Sequence, residues 1–426
     1  MTLLDVAAIK ADFPVFKRTV RNDNRLVYLD SGATSQKPFQ VLDAERNFYE
    51  LHNAAVHRGA HLLAEEATDA FEHARANIAN FIGAKPEEMV FTKNATEAIN
   101  LVSYSFLNAT LKSARGVSLP PGSEQFILHE GDEILVSEME HHANLVPWQE
   151  LCEKTGAKLR WIGLTDDGRL DLSDTSVFNS RTRVVSITPQ SNLLGTINDI
   201  PVIVKLAKDV GALVFLDACQ SVPHMPVDVV SLGVDFIAWS GHKMLGPLGI
   251  GCLWGRSEVL SAMPPFISGG SMIETVSMER TTFAAPPKRF EAGVPMAAQA
   301  VGMSAAVDYL NAIGMAQVAA HEHLLTEAAL AGIASISGVR LIGPENSISR
   351  GSAISFAVEG VHPHDVGQVL DESGIAVRVG QHCAKPACER YGVQAATRAT
   401  FYIYNDLADV EALVDGIHAT KKFFGV

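Results

Sequence analysis

The chain has no apolar run long enough to cross a membrane, no excess of basic residues and no framework of cysteines. A spanning helix needs about 20 consecutive apolar residues, and none occurs among these 426. Lys and Arg number 34 against 48 Asp and Glu, a net charge of −14, and no basic cluster stands out. Neither nucleic acid nor a membrane is therefore expected as a partner. The five cysteines, at 152, 219, 252, 383 and 388, are odd in number and scattered. This fits a reducing compartment rather than a disulfide-stapled fold. Met1-Thr2-Leu3-Leu4-Asp5-Val6 carries an early acid and no basic stretch ahead of an apolar one. No secretory signal is read there, and a cytoplasmic location is expected. Internal repeats and low-complexity stretches are also absent. What remains is ordinary globular composition, 47% hydrophobic and 19% charged, with enough chain for a large core and more than one domain.

The most informative stretch is Phe236-Ile237-Ala238-Trp239-Ser240-Gly241-His242-Lys243. An apolar run, read as a buried strand, stops at Ser-Gly-His-Lys. A second run, Ile250-Gly251-Cys252-Leu253-Trp254, follows after Gly246 and Pro247. Burial between two strands makes a lysine ammonium costly and its free amine a usable nucleophile, as Schiff-base chemistry requires. Upstream, Ala212-Leu213-Val214-Phe215-Leu216-Asp217 is a strand ending in a carboxylate, followed by Ala218-Cys219-Gln220. A lysine for an aldehyde carbon and an acid for a pyridinium nitrogen are the two protein groups that pyridoxal phosphate needs. Both sit at carboxyl ends of predicted strands, where open α/β sheets place their ligands.

Between 85 and 255 strands and helices alternate, which predicts a mostly parallel sheet covered by helices. Met89–Thr92 reads as a strand, and Lys93-Asn94-Ala95-Thr96-Glu97 opens a helix to about Phe106. The free N–H groups there, with the Thr96 hydroxyl, suit a phosphate; a plain helix cap is the simpler reading. Residues 108–131 read as a surface insertion. The strand 133–137 leads into Glu140-His141-His142-Ala143-Asn144. The adjacent histidines point different ways, and no HExxH or CxxC spacing supports a metal. A loop 55–61 carries His57, Arg58 and His61. Beyond 310 a second α/β unit is expected. It contains strand 376–379, then Gly380-Gln381-His382-Cys383-Ala384 as a loop exposing a thiol, then a strand 399–404 with Arg398 just before it.

Together, Asp217-Ala218-Cys219-Gln220, Ser240-Gly241-His242-Lys243, Glu140-His141-His142-Ala143-Asn144, Arg289-Phe290-Glu291-Ala292-Gly293 and Arg378-Val379-Gly380-Gln381-His382-Cys383-Ala384 resemble the class V aminotransferase-like, pyridoxal-phosphate-dependent cysteine desulfurases, most closely the Suf-type (type II) branch. The resemblance implies an α/β fold-type I transferase, with a large domain built on a mainly parallel sheet and a smaller α/β domain. The boundaries expected are an arm at 1–30 contributing to the small domain, a large cofactor-binding domain at 31–310 and a small domain at 311–426. It implies a homodimer in which each subunit completes the other's site. It also implies pyridoxal 5'-phosphate as cofactor, L-cysteine as substrate and a sulfur-acceptor protein of the Suf pathway as partner, serving iron–sulfur cluster assembly.

By the same resemblance, Lys243 joins the cofactor aldehyde and Asp217 pairs with the pyridinium. Gln220 bonds the phenolic oxygen, and His141 stacks on the ring as a catalytic group. Ala95, Thr96, Ser240 and His242 hold the phosphate. Asn192, Arg398 and His57 contact the substrate, and Cys383 receives its sulfur. The exposed pair His362 and His364 is read either as a docking point for the acceptor or as a simple helix start. Three departures from the family pattern stand out: Gln381 where His is common, Val294 where Thr is common, and the 108–131 insertion. A selenocysteine lyase or another class V enzyme is the alternative within the same chemistry. A zinc-binding protein using His141, His142 and Cys383 is the alternative outside it.

Overall fold

The computed structural model describes residues 4–426, so the first three residues of the expected N-terminal arm lie outside it. Its main feature is a seven-stranded sheet. The strands run, in spatial order, Met89–Thr92, Gly251–Gly255, Phe236–Ser240, Leu213–Asp217, Thr182–Ile187, Glu133–Ser137 and Lys158–Ile162. Gly251–Gly255 is antiparallel to both neighbours, and every other adjacent pair is parallel. The strands 89–92, 133–137, 236–240 and 251–255 are buried along their whole length. A sheet covered on both faces buries both sets of side chains, so its strands read as unbroken apolar runs.

Successive residues serve opposite faces. Leu216 and Ile237 join one core with Phe71, Ile78 and Val307, contributed by helices Leu62–Phe81 and Ala297–Ile313. Phe215 and Phe236 join the other with Ile99, Val102 and Trp148, from helices Ala95–Ala114 and Val146–Thr155.

A second, wholly antiparallel sheet has the order Val339–Ile342, Ala353–Val358, Ala396–Thr400, Arg378–Gly380. Leu325, Leu370 and Leu413, from helices Met315–Ala334, Pro363–Glu372 and Leu407–Phe424, build its core. The chain's beginning returns to this region. Val27–Tyr28 pairs in parallel with Ile375–Ala376, and Asp30 bridges to Thr400.

Three expectations about elements need correction. The helix opened by Ala95 runs to Ala114, so the first part of the expected 108–131 insertion is helical. The remainder is tied down by buried Phe126, whose ring lies 4.9 Å from that of Phe106. The segment 376–379 divides into two short strands, Ile375–Ala376 and Arg378–Gly380, which pair with different partners. The last strand of the smaller sheet is Ala396–Thr400 rather than 399–404. Phe401–Tyr404 is buried but leaves the ladder, because the Tyr402 N–H donates to Asn405 Oδ1 in a local turn. Buried aromatics there mimic a strand by composition alone.

Candidate active site

The carboxyl ends of the large sheet's central strands open into a cavity of about 210 Å³, closed on the far side by Arg378, His382 and Arg398. Lys243, Asp217, Gln220, His141, Ala95, Thr96, Ser240, His242, Asn192 and Arg398 all line it. Lys243 ends a single 3₁₀ turn, Gly241–Lys243, directly after the strand Phe236–Ser240, and is half-buried. Asp217 is the last residue of its strand and is buried. Its Oδ1 accepts from the Cys219 N–H at 3.2 Å.

The helix N-terminus reaches this cavity through a close approach. A Cβ on Gly251 would lie 2.6 Å from the Cα of Asn94, so only glycine lets the helix start sit on the sheet edge there. Asn94 Oδ1 caps the Glu97 N–H at 3.0 Å, and Ser240 Oγ accepts from the Ala95 N–H at 2.9 Å. The N–H and hydroxyl of Thr96 make no such bond among the described residues. A helix N-terminus with free donors favours an anion.

Burial sets the charge states. His141 is pushed down to about 3 by burial, with Lys243 adding to the effect. Its Nδ1 accepts from the Ala143 N–H at 3.1 Å, so the neutral ring carries its proton on Nε2. Burial also lowers His242 to about 4 and His382 to about 3. Arg398, fully buried, falls to about 10, opposed by Asp30. Its Nη1 donates to the Asn192 carbonyl at 2.9 Å and its Nη2 to Asp30 Oδ1 at 3.3 Å, while Nε has no partner.

The thiol lies just beyond the lining residues, since Cys383 directly follows His382, which lines the cavity. Cys383 is half-buried, whereas the other four cysteines are buried. His382 and Cys383 both have left-handed backbone, with φ of 53° and 55°. Such a conformation costs non-glycine residues about 1–3 kcal/mol each and persists only where the surroundings impose it. The surroundings are explicit. The His142 N–H donates to the Cys383 carbonyl at 2.7 Å, and Asn192 Nδ2 donates to the His382 carbonyl at 2.7 Å. The Lys385 N–H donates to His142 Nε2 at 3.1 Å. Asn192 therefore holds the thiol loop as well as facing the cavity. His142 also holds that loop, and its Nε2 is occupied by the Lys385 N–H. Among the described residues no three His, Cys, Asp or Glu side chains are gathered to hold a metal ion.

Within one chain the structure does not bring His57 to this cavity. It lines a different, larger one of about 730 Å³, where its Nε2 lies 2.8 Å from Glu72. Nearby, Arg75 forms a buried two-pronged pair with Glu291, at 2.6 and 2.9 Å, and Glu291 Oε1 also accepts from the Phe91 N–H at 2.8 Å. The glutamate of the Arg289–Gly293 motif thus anchors the strand Met89–Thr92.

Sequence reasoning missed Arg378, Asp30 and the network under His141. Buried Glu140 accepts from Ser137 Oγ at 2.5 Å, Asn144 Nδ2 at 2.7 Å and the Thr188 N–H at 3.0 Å. Burial raises its carboxyl to about 8. The spacing of Glu140 and Asn144 in one short motif was the available signal.

A sequence model of the aminotransferase class-V family matches residues 27–413. The chain belongs to the class-V aminotransferase family. It is 56% identical over 425 residues to "Probable cysteine desulfurase 2" of Mycobacterium leprae, covering 100% of this chain and 99% of that one. Identity to the probable cysteine desulfurase of Streptomyces coelicolor is 54%, covering 99% of each. Among solved structures, the cysteine desulfurase of Thermococcus onnurineus superposes with a TM-score of 0.89 at 37% identity, over 99% of both chains. One from Escherichia coli gives 0.86 at 34%, over 99% of this chain and 100% of that one.

Class-V desulfurases depend on pyridoxal 5'-phosphate, and the cavity fits that group. It offers an amine, a buried carboxylate, and a helix start with free donors, while Gln220 Oε1 and His242 Nδ1 are buried without partners.

Proposed function

We propose that the protein is a cysteine desulfurase that converts L-cysteine to L-alanine and leaves the sulfur on Cys383 as a persulfide. The observation that carries this reading is the half-buried thiol on strained backbone, tied by His142 and Asn192 to the rim of the Lys243 cavity. Pyridoxal phosphate, when bound, supplies an electron sink that acidifies the substrate Cα–H. Asp217 would hold the proton on its ring nitrogen, Gln220 would bond its phenolic oxygen, and Ala95, Thr96, Ser240 and His242 would hold its phosphate.

The chain's own groups do the rest. Arg398 and Asn192 orient the substrate carboxylate. The Lys243 amine takes the proton from Cα, and neutral His141 would lie against the cofactor with its proton on Nε2. The Cys383 thiolate then bonds to the substrate sulfur as the Cβ–S bond breaks. Cβ ends protonated, as the methyl of alanine. The sulfur goes on to an acceptor protein of the Suf pathway in the cytoplasm, for iron–sulfur cluster assembly. Selenocysteine would follow the same course.

The protein acts as a homodimer with the division into arm, large and small domains given above. In that assembly His57, which lies away from the cavity of its own chain, and exposed Val294 meet the partner's site. Val294 cannot donate the hydrogen bond of a threonine, a loss of about 1 kcal/mol that leaves cofactor binding intact.

The test is direct. Purified protein loaded with cofactor and given L-cysteine without reductant should form one alanine per chain and gain one sulfur atom on Cys383 by mass spectrometry. Alanine without modification of Cys383, or no alanine, refutes the reading.

A further inference from the structure

Two arginines stand side by side on one face of the smaller sheet. Arg378 and Arg398 are register partners on adjacent antiparallel strands, and both line the cavity. Arg378 has no carboxylate within ion-pair distance among the described residues. Arg398 has one, Asp30, at 3.3 Å. This carboxylate arrives from the far end of the sequence. The Asp30 backbone bridges to Thr400, and its carbonyl accepts from the Ala33 and Thr34 N–H groups at 3.0 and 3.3 Å. The turn it starts is pressed against the guanidinium. A Cβ on Gly32 would meet Arg398 Nη2 at 3.1 Å and Thr400 Oγ1 at 2.8 Å. Asp30 is therefore held in place by packing.

We propose that Asp30 is a positioning residue that sets the charge the cavity accepts: it occupies Arg398 Nη2 and compensates one guanidinium, so that a substrate with a single carboxylate and a neutral side chain fits, and a second anionic group is disfavoured. This rests on the reading that Arg398 anchors the substrate carboxylate. The guanidinium is already oriented before substrate arrives. Nη1 is bound to the Asn192 carbonyl and Nη2 to Asp30, each keeping a second N–H, and the buried Nε has no partner. Without Asp30, two adjacent cations would face the cavity uncompensated, which is a site for a dicarboxylic amino acid. Charges a few ångströms apart in a part-buried setting interact strongly enough to shift affinity by about tenfold or more.

The experiment is a titration of the cofactor-loaded enzyme, followed by the change in cofactor absorbance. The ligands are L-alanine, with one carboxylate, and L-aspartate, with two. Wild type should bind L-alanine more tightly. Asp30→Asn should shift the ratio of the two affinities toward L-aspartate by about tenfold, and Asp30→Glu, which keeps the charge, should retain the wild-type ratio. Asp30→Ser replaces the Asn variant if that protein does not fold. A ratio unchanged by removing the charge overturns the proposal, as does an equal loss of both affinities. Arg398→Gln separates the underlying reading. If it binds L-alanine as wild type does, the anchor itself is wrong and the proposal falls with it. If it binds weakly while the Asp30 ratio is unchanged, only the role of Asp30 is refuted.

Discussion

His142 and Cys383 are joined by a backbone hydrogen bond of 2.7 Å, from the His142 N–H to the Cys383 carbonyl. The same histidine accepts from the Lys385 N–H through Nε2, so one residue grips the thiol loop at Cys383 and again two residues later. His142 follows His141, which lines the cavity. The wall that presents an imidazole to the cofactor thus also fixes where the thiol stands.

Removing one half of that grip should loosen the loop without disturbing the cavity. His142→Ala loses the side-chain bond to Lys385, worth about 1 kcal/mol, and keeps the backbone bond to Cys383. Amide exchange in 381–386 should rise, and alanine formation should slow several-fold with KM for cysteine little changed. A wild-type rate together with faster exchange would show that loop order does not limit sulfur transfer.

Cys383→Ser separates ligand binding from sulfur transfer. Serine is nearly isosteric, but its hydroxyl stays protonated near neutral pH and is a poor sulfur acceptor. The variant should retain cofactor and still change absorbance on addition of cysteine, yet yield little alanine and no persulfide. Wild-type alanine release would make Cys383 structural.

Stability should depend on pH with a definite sign. His141, His242 and His382 are held near 3, 4 and 3, below the ordinary histidine value. The unfolded chain therefore binds more protons below about pH 6.5, and stability falls as the solution is acidified toward those values. Glu140, raised to about 8, acts oppositely. It keeps its proton when folded, so its contribution is lost as pH rises from the ordinary carboxyl value toward 8. Three histidines outweigh one carboxyl on the acid side. The melting temperature should peak between about pH 6 and 7. His382→Gln should flatten the acid limb and Glu140→Gln the alkaline one. A flat profile from pH 5 to 8 would contradict these assignments.

His362 and His364 stack with ring centroids 5.3 Å apart at the exposed start of helix Pro363–Glu372, which packs on the strand leading to the thiol loop. If the sulfur acceptor docks there, His364→Ala should lower acceptor-stimulated turnover and spare the basal rate. Equal loss of both rates would argue for a structural role of the stacked histidine pair.

The sequence by itself determined the alternation of strands and helices and the position of Lys243 and Asp217 at strand ends. A strand buried on both faces must be an unbroken apolar run, so the polar residue that stops it is visible in the local order of residues. Tertiary structure alone decided the rest. Nothing local links Asp30 to Arg398, or Arg378 to Arg398, because sheet order and register bring them together. Folding likewise turned His57 toward Glu72 and away from Lys243, and wrapped His142 and Asn192 around the thiol loop. The apolar character of Phe401–Tyr404 suggested a strand that the Asn405 turn prevents. Periodicity is a property of neighbours in the chain, whereas charge pairing and loop strain depend on contacts that only the folded chain makes.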